Sequence, residues 1–302
     1  MHRRLGTPRL LLVFVLGTGV VTVRPASRLM AASEPAAQQV QKAALQPVAA
    51  TSHDIPFPDA EIAVEQQLLD LANQSRQQAG APPLALDPGL SQAALIHAQA
   101  MVSARQLSHQ FQGEPSLPQR LAATTALQLD QEGENVALDN DAPHGHEHLM
   151  LSPPHRANLL NPAYNVVGLG VVRSGDRLYI VQDFGHALPS YSAAEVKGRI
   201  ADSVNQARHQ ANQSALPRAD RVALDDAACS MAQADKLGTQ PVRALSDHYT
   251  VLTYTSLHPE TLPASAAHAI ASHNLRSFAV GACYGRSDTY PTGVYWVVLT
   301  LE

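Results

Sequence analysis

Three short polar runs in this chain carry side chains from which a chemical site can be built: LSH (107–109), GEN (133–135) and SPPHRANLL (152–160). Two imidazoles with a nearby carboxylate can hold Zn²⁺ and leave coordination positions open for water. His109 and His155 are side chains of the first kind, and Glu134 is of the kind that can act as general base on a metal-bound water. Ser152 adds a hydroxyl to the binding set. As a nucleophile it lacks a G-x-S-x-G elbow, and proline follows it. The distances along the chain between these runs bring nothing together by themselves, so a fold has to do that.

Locally, Ser152 suits a helix N-cap and Pro153 the first helical position, with the short helix ending at Asn161-Pro162. His155 then lies in the first turn, where the positive end of the helix disfavours imidazolium and leaves a neutral nitrogen for a metal or a proton. Asn135 is read as a structural side chain that bonds backbone. A second cluster, PHGHEHL (143–149), would put His144 and His148 on one face if it were helical, a spacing that chelates. Gly145 works against a helix there, and a solvated polar face is the plainer reading. His97, His186, His209 and His248 are assigned no role.

The chain has 302 residues, 45% hydrophobic and 16% charged, enough for one large or two ordinary domains. A net charge of −5 with scattered basic residues, and only 5% aromatics, excludes the basic stripe and stacking platform of a nucleic-acid binder. At the N-terminus, His2, Arg3, Arg4 and Arg9 precede an apolar run, 10–23, and the small residues Ala31, Ala32 and Ser33. Residues 1–33 thus read as an export signal, the expected membrane contact of this chain. The alternative, an uncleaved anchor, is short of the ~20 residues that span a bilayer. No cysteine follows the apolar run to take a lipid at a new N-terminus. An Ala-, Gln- and Pro-rich linker is expected over 34–53. Export permits disulfides, and the two cysteines, Cys229 and Cys283, most simply pair with each other.

Folded periodicity begins near Asp59. Val64, Leu68, Leu69 and Leu71 make one helical stripe. Asp87-Pro88 opens a second helix with Leu90, Ala94, Ala98 and Met101 on one face. YNVVGLGVV (164–172) and RLYIVQDFG (177–185), joined by Ser174-Gly175-Asp176, form a hairpin. The order then recurs. VNQARHQANQ (204–213) echoes LANQSRQQAG (71–80), and RVALDDAACSMAQADKLGTQ (221–240) echoes LALDPGLSQAALIHAQAMVSARQ (84–106). FAVGACYG (278–285) and GVYWVVLTL (293–301) echo the two hairpin strands. An internal duplication is expected, with one domain over 54–188 and a second over 192–302. The second interval has no Ser-His, Glu-Asn or His-Arg-Ala-Asn; only His268, 13 residues before Gly281, mimics the placement of His155 before Gly168. Packing preserves cores, whereas sites persist only where they are used, so the asymmetry points to function at His109, Glu134 and His155.

Residues 65–185 resemble a CAP-superfamily domain, also called SCP, of the cysteine-rich secretory, antigen 5 and pathogenesis-related type, and are most similar to bacterial secreted members. The resemblance rests on Leu68, Asn73 and Arg76, then LDPGLSQAALIHAQAM, LSH, GENVA, SPPHRANLLNPAYNVVGLGVV and YIVQDFG, in order. It implies an α/β fold, an α-β-α sandwich with a small, mostly antiparallel sheet, here followed by a degenerate second copy. It also implies a cleft with two histidines, His109 and His155, and a first acid, Glu134. The usual second acid is missing: the segment reads LMLS, with Leu149 in place of a tryptophan and Ser152 where an acid often stands. The functional expectation is an exported module binding a lipid, a peptide or cell-envelope material, with Zn²⁺ as the candidate metal. The alternatives are a metal-assisted hydrolase using Glu134, or an interaction protein whose second copy docks a partner.

Overall fold

A computed structural model describes residues 61–238, 240–243 and 249–302, together with the backbone of two short paired strands, β1 (Val13–Leu16) and β2 (Gly19–Thr22). The remainder of the export-signal expectation, the linker 34–53 and the start of the first domain lie outside the described residues. No helix among the described residues is long and apolar enough to cross a membrane.

The first unit runs α1 (Ile62–Ala79), β3 (Ala85–Leu86), α2 (Pro88–Ala104), α3 (Leu117–Thr124), β4 (Leu129–Asp139), α4 (Ala142–Leu151), α5 (Pro153–Leu159), β5 (Val166–Ser174) and β6 (Arg177–Ala187). Its sheet has the order β3-β5-β6-β4, antiparallel except for the two-residue β3–β5 pairing. Side chains alternate across a strand, and the hairpin uses both faces. Leu169, Val171, Leu178 and Ile180 pack under α1, α4 and α5 with Leu68, Leu149 and Leu159. Val172, Tyr179 and Val181 pack under α2 with Ala94, Leu95, Ala98 and Met101. Two cores on one sheet make the expected sandwich. α2 lies so close to β5 that a Cβ on Gly168 would sit 2.1 Å from the Leu90 carbonyl carbon. Only glycine admits that approach.

The second unit repeats this plan with α6 (Ala193–Gln210), β7 (Arg218–Ala219), α7 (Val222–Gln233), β8 (Thr250–Ser256), α8 (Ala267–Ile270), β9 (Phe278–Gly285) and β10 (Val294–Leu301). Its sheet order, β7-β9-β10-β8, and its pairing senses match those of the first. The same buried struts recur. Asn73 exchanges two hydrogen bonds with the Leu84 backbone, and Asn205 does so with Leu216. Arg76 donates to the carbonyls of Pro82, Leu159, Asn161 and Tyr164, and Arg208 to those of Ser214, Ile270 and Ser272. A Cβ on Gly281 would meet the Leu224 carbonyl carbon at 2.2 Å, as Gly168 meets that of Leu90.

These struts correct the pairing of LALD with VALD. Gly168 and Gly281 place Leu90 opposite Leu224, so the helix N-cap Asp87 corresponds to Arg221, not to Asp225. Asp225 does the work of Ser91 instead: its Oδ1 accepts the Ala282 N–H, as Ser91 Oγ accepts that of Leu169.

Cys229 and Cys283 form a disulfide, with Cα atoms 5.0 Å apart, that ties α7 to β9. Closing a loop of that length stabilises by about 4 kcal/mol in the chain-entropy model. The two units meet where Arg286 donates to the carbonyls of Ala122, Thr125 and Leu127 at the C-terminal end of α3. A cation is favourable there. Thr292 Oγ1 adds a bond to the Leu129 carbonyl.

Candidate functional site

The site gathers at the end of the first sheet where α3, α5 and the loop after α2 converge. His109 lies in that loop, Glu134 and Asn135 on β4, and His155 on α5. His109 Nδ1 donates to Glu134 Oε1 at 2.9 Å. The rings of His109 and His155 stand with centroids 6.3 Å apart, tilted by 34°. His155 is placed from β4: Asn135 Nδ2 donates to the His155 carbonyl at 3.0 Å, and Asn158 Nδ2 donates to the Glu134 carbonyl at 3.1 Å. The expectation that Asn135 bonds backbone holds. Ser152 occupies the N-cap of α5, but its hydroxyl makes no cap bond; its carbonyl accepts the Arg156 N–H.

Beneath the two histidines is a buried set of charges. The second oxygen of Glu134 accepts from Arg120, whose side chain also reaches the His109 carbonyl at 3.2 Å and Glu114 at 3.7 Å. Fully buried His97 faces Glu114 Oε1 with Nδ1 at 2.7 Å and the Ser108 carbonyl with Nε2 at 2.8 Å. Both ring nitrogens of His97 are thus engaged. Although burial opposes its charge, the Phe111 N–H, His97 and Arg120 together hold the Glu114 carboxyl below the usual range. The loop 108–114, and His109 with it, is thus pinned from below.

Asp183, on β6, stands directly across the sheet from Glu134. It is fully buried, and among the described residues no donor meets either of its oxygens. Desolvation, and then the charge of Glu134, push its carboxyl well above the carboxylate range. Arg120, bonded to Glu134, stands on the other side of that carboxylate from Asp183. The folded protein then keeps a proton that the unfolded chain releases above about pH 3.9, so stability declines as pH rises from there toward the folded value. Asp183→Asn should remove that decline, by about 1.4 kcal/mol for each unit of elevation. Urea unfolding midpoints from pH 4 to 8 check this, and parallel pH profiles for the two proteins would contradict it.

His155 is shifted down, by burial and then by the neighbouring His109, so its imidazole is neutral near neutral pH. His109 is tied at Nδ1, so an ion would take its other ring nitrogen, and its side chain is 58% exposed. A carboxylate that orients an imidazole in this way raises its basicity toward a metal. Two imidazoles with centroids 6.3 Å apart are donors of the kind that would suit such an ion. Glu134, engaged at both oxygens, orients a ligand and is not itself placed to be one. Among the described residues, no group of three or more His, Cys, Asp or Glu is arranged to hold a metal.

The second unit lacks this set position by position. Gly281 pairs with Val298 as Gly168 pairs with Asp183, and Val298 pairs with Thr253 as Asp183 pairs with Glu134. Counted back four residues from the carbonyls of Leu159 and Ile270, both bound by the equivalent arginine, the place of His155 falls to Ala266. His268 is therefore not its counterpart. Met231 stands where the Leu90–Leu224 register puts His97.

The sequence reading missed Asp183, Arg120, Glu114 and His97. Asp183 had one visible signal, an ionisable residue inside the apolar run YIVQDF. PHGHEHL is helical as α4, with Gly145 admitting Ile180 Cδ1 where a Cβ would lie 2.7 Å from it.

Comparison with known proteins places these residues in a family. Residues 69–184 match the family model for CAP, the cysteine-rich secretory protein family. The chain is 31% identical over 157 residues to the uncharacterized protein YkwD of Bacillus subtilis (strain 168), covering 51% of this chain and 60% of that one. It is 35% identical over 121 residues to the uncharacterized membrane protein YlbC of the same organism, covering 40% of this chain and 34% of that one. A solved extracellular protein containing an SCP domain, from Bacillus anthracis str. Ames, is 28% identical with a TM-score of 0.37, over 41% of each chain. The chain thus spans under two thirds of the length of these relatives.

Proposed function

Residues 69–184 are a domain of the CAP, or cysteine-rich secretory protein, family, and from that premise we propose that the protein is an exported binding module. Its first unit takes a divalent ion, Zn²⁺ by donor chemistry, on His109 and His155, and with it a lipid, peptide or cell-envelope ligand. The observation that carries this reading is the pairing of the two rings, with Glu134 committed to His109 and Arg120. A bound ion would act as a Lewis acid toward an oxygen of the ligand. Neutral His155 supplies one nitrogen, Glu134 holds the proton on His109 Nδ1, and Asn135 holds α5 in place. The exposure of His109 suits an extended ligand lying across the surface better than one enclosed in a cavity.

Export is supported by the basic and apolar N-terminal pattern and by the disulfide. The second unit, derived from an internal duplication, serves as a buttress: Arg286 caps the helix that carries Arg120. The hydrolase reading is the weaker one, because both oxygens of Glu134 are already engaged, one by His109 and one by Arg120.

Binding of the purified protein to isolated bacterial cell envelopes tests the proposal. Binding should rise with Zn²⁺, fall with EDTA and be lost in His109→Ala/His155→Ala. Binding indifferent to all three would overturn it.

A further inference from the structure

We propose that His144 and His148 form a second divalent-metal site, on the outer face of α4, that takes a late first-row ion such as Cu²⁺ or Zn²⁺ independently of the cleft. The helix places the two residues one turn apart on the same face. Their side chains are 62% and 63% exposed.

Each ring is already oriented. His144 Nδ1 lies 2.8 and 2.9 Å from the two oxygens of Asp141, and His148 Nδ1 lies 2.6 Å from Asp139 Oδ2. A carboxylate only accepts, so both Nδ1 atoms carry hydrogen. In the neutral rings the lone pair then sits on Nε2, which meets no partner among the described residues. A carboxylate behind each imidazole is the arrangement that fixes tautomer and strengthens metal binding.

The carboxylates are themselves held. Asp141 accepts the His144 N–H at 2.9 Å, and Asp139, nearly buried, accepts the Asn140 N–H at 3.0 Å. The third histidine of the run faces away: His146 Nε2 bonds Ser75 Oγ at 2.8 Å beneath the helix. Two nitrogens and solvent complete the site, and Cu²⁺ binds more tightly than Zn²⁺ to such donors. Asp141 also favours the proton on His144, so acid competes with the ion.

Calorimetric titration of Cu²⁺ and Zn²⁺ into the full chain carrying His109→Ala/His155→Ala tests this apart from the cleft. One saturable equivalent is expected, with Cu²⁺ showing nitrogen hyperfine structure in its paramagnetic resonance spectrum. Adding His144→Ala/His148→Ala should abolish it, and Asp139→Asn or Asp141→Asn should weaken it about 10–100-fold. The same His144→Ala/His148→Ala pair placed in the otherwise wild-type chain should lower the stoichiometry by one. Absence of saturable binding in the cleft variant, or an isotherm unchanged by loss of His144 and His148, overturns the proposal. Neither result bears on the cleft.

Discussion

Arg120→Met should destabilise the first unit by about 3–5 kcal/mol, the usual cost of stripping one partner from a buried charge pair. The guanidinium contacts Glu134, sits 3.7 Å from Glu114, and supports the loop through the His109 carbonyl. Without it, Glu114 and Glu134 lose the cation they share, and Asp183 stands beside a Glu134 left with its His109 bond. Adding Glu134→Gln removes the stranded charge and should recover part of the loss. The double variant is therefore expected to be more stable than the sum of the single ones implies. Urea unfolding of the four proteins measures this. Additive effects would mean that the two residues do not act as one network.

Arg76→Ala should be more damaging still. The side chain is fully buried and donates to four backbone carbonyls, at 2.7 to 2.9 Å. Each carbonyl left without a donor costs about 1–3 kcal/mol, against a total stability of roughly 5–15 kcal/mol for a domain. The first unit is expected to unfold near room temperature, with the end of α5 and the entry to β5 released together. Arg208→Ala should do the same to the second unit while sparing the first. Separate thermal transitions by calorimetry would show this, and a wild-type first transition in Arg76→Ala would contradict it.

These two arginines also show how much was legible. Arg76 and Arg208 stand in similar short strings, and the folded struts set Asn73 and Arg76 against Asn205 and Arg208, one residue from the alignment of the strings' ends. The hairpins were readable because glycine and apolar residues alternate with a turn at Ser174-Gly175-Asp176. The VALD match misled because a four-letter likeness fell one helical turn from the true register, which close packing at Gly168 and Gly281 sets. Within the site, His109, Glu134 and His155 could be named from local motifs, and the fold brings them together. Arg120, Glu114 and His97 could not, because their significance lies in facing one another across three separate segments. Asp183 looks like a polar interruption of a strand until the cross-strand register sets it against Glu134. Ser152 shows the reverse: its position suited a cap, yet its hydroxyl makes no cap bond.

The central claim is that His109 and His155 act together on one ion. Calorimetric titration of Zn²⁺ into the protein carrying His144→Ala/His148→Ala, beside the same protein also carrying His109→Ala/His155→Ala, tests it most directly. One equivalent bound by the first and lost in the second is the predicted result. Equal binding by both, or none by either, would contradict a metal-holding cleft.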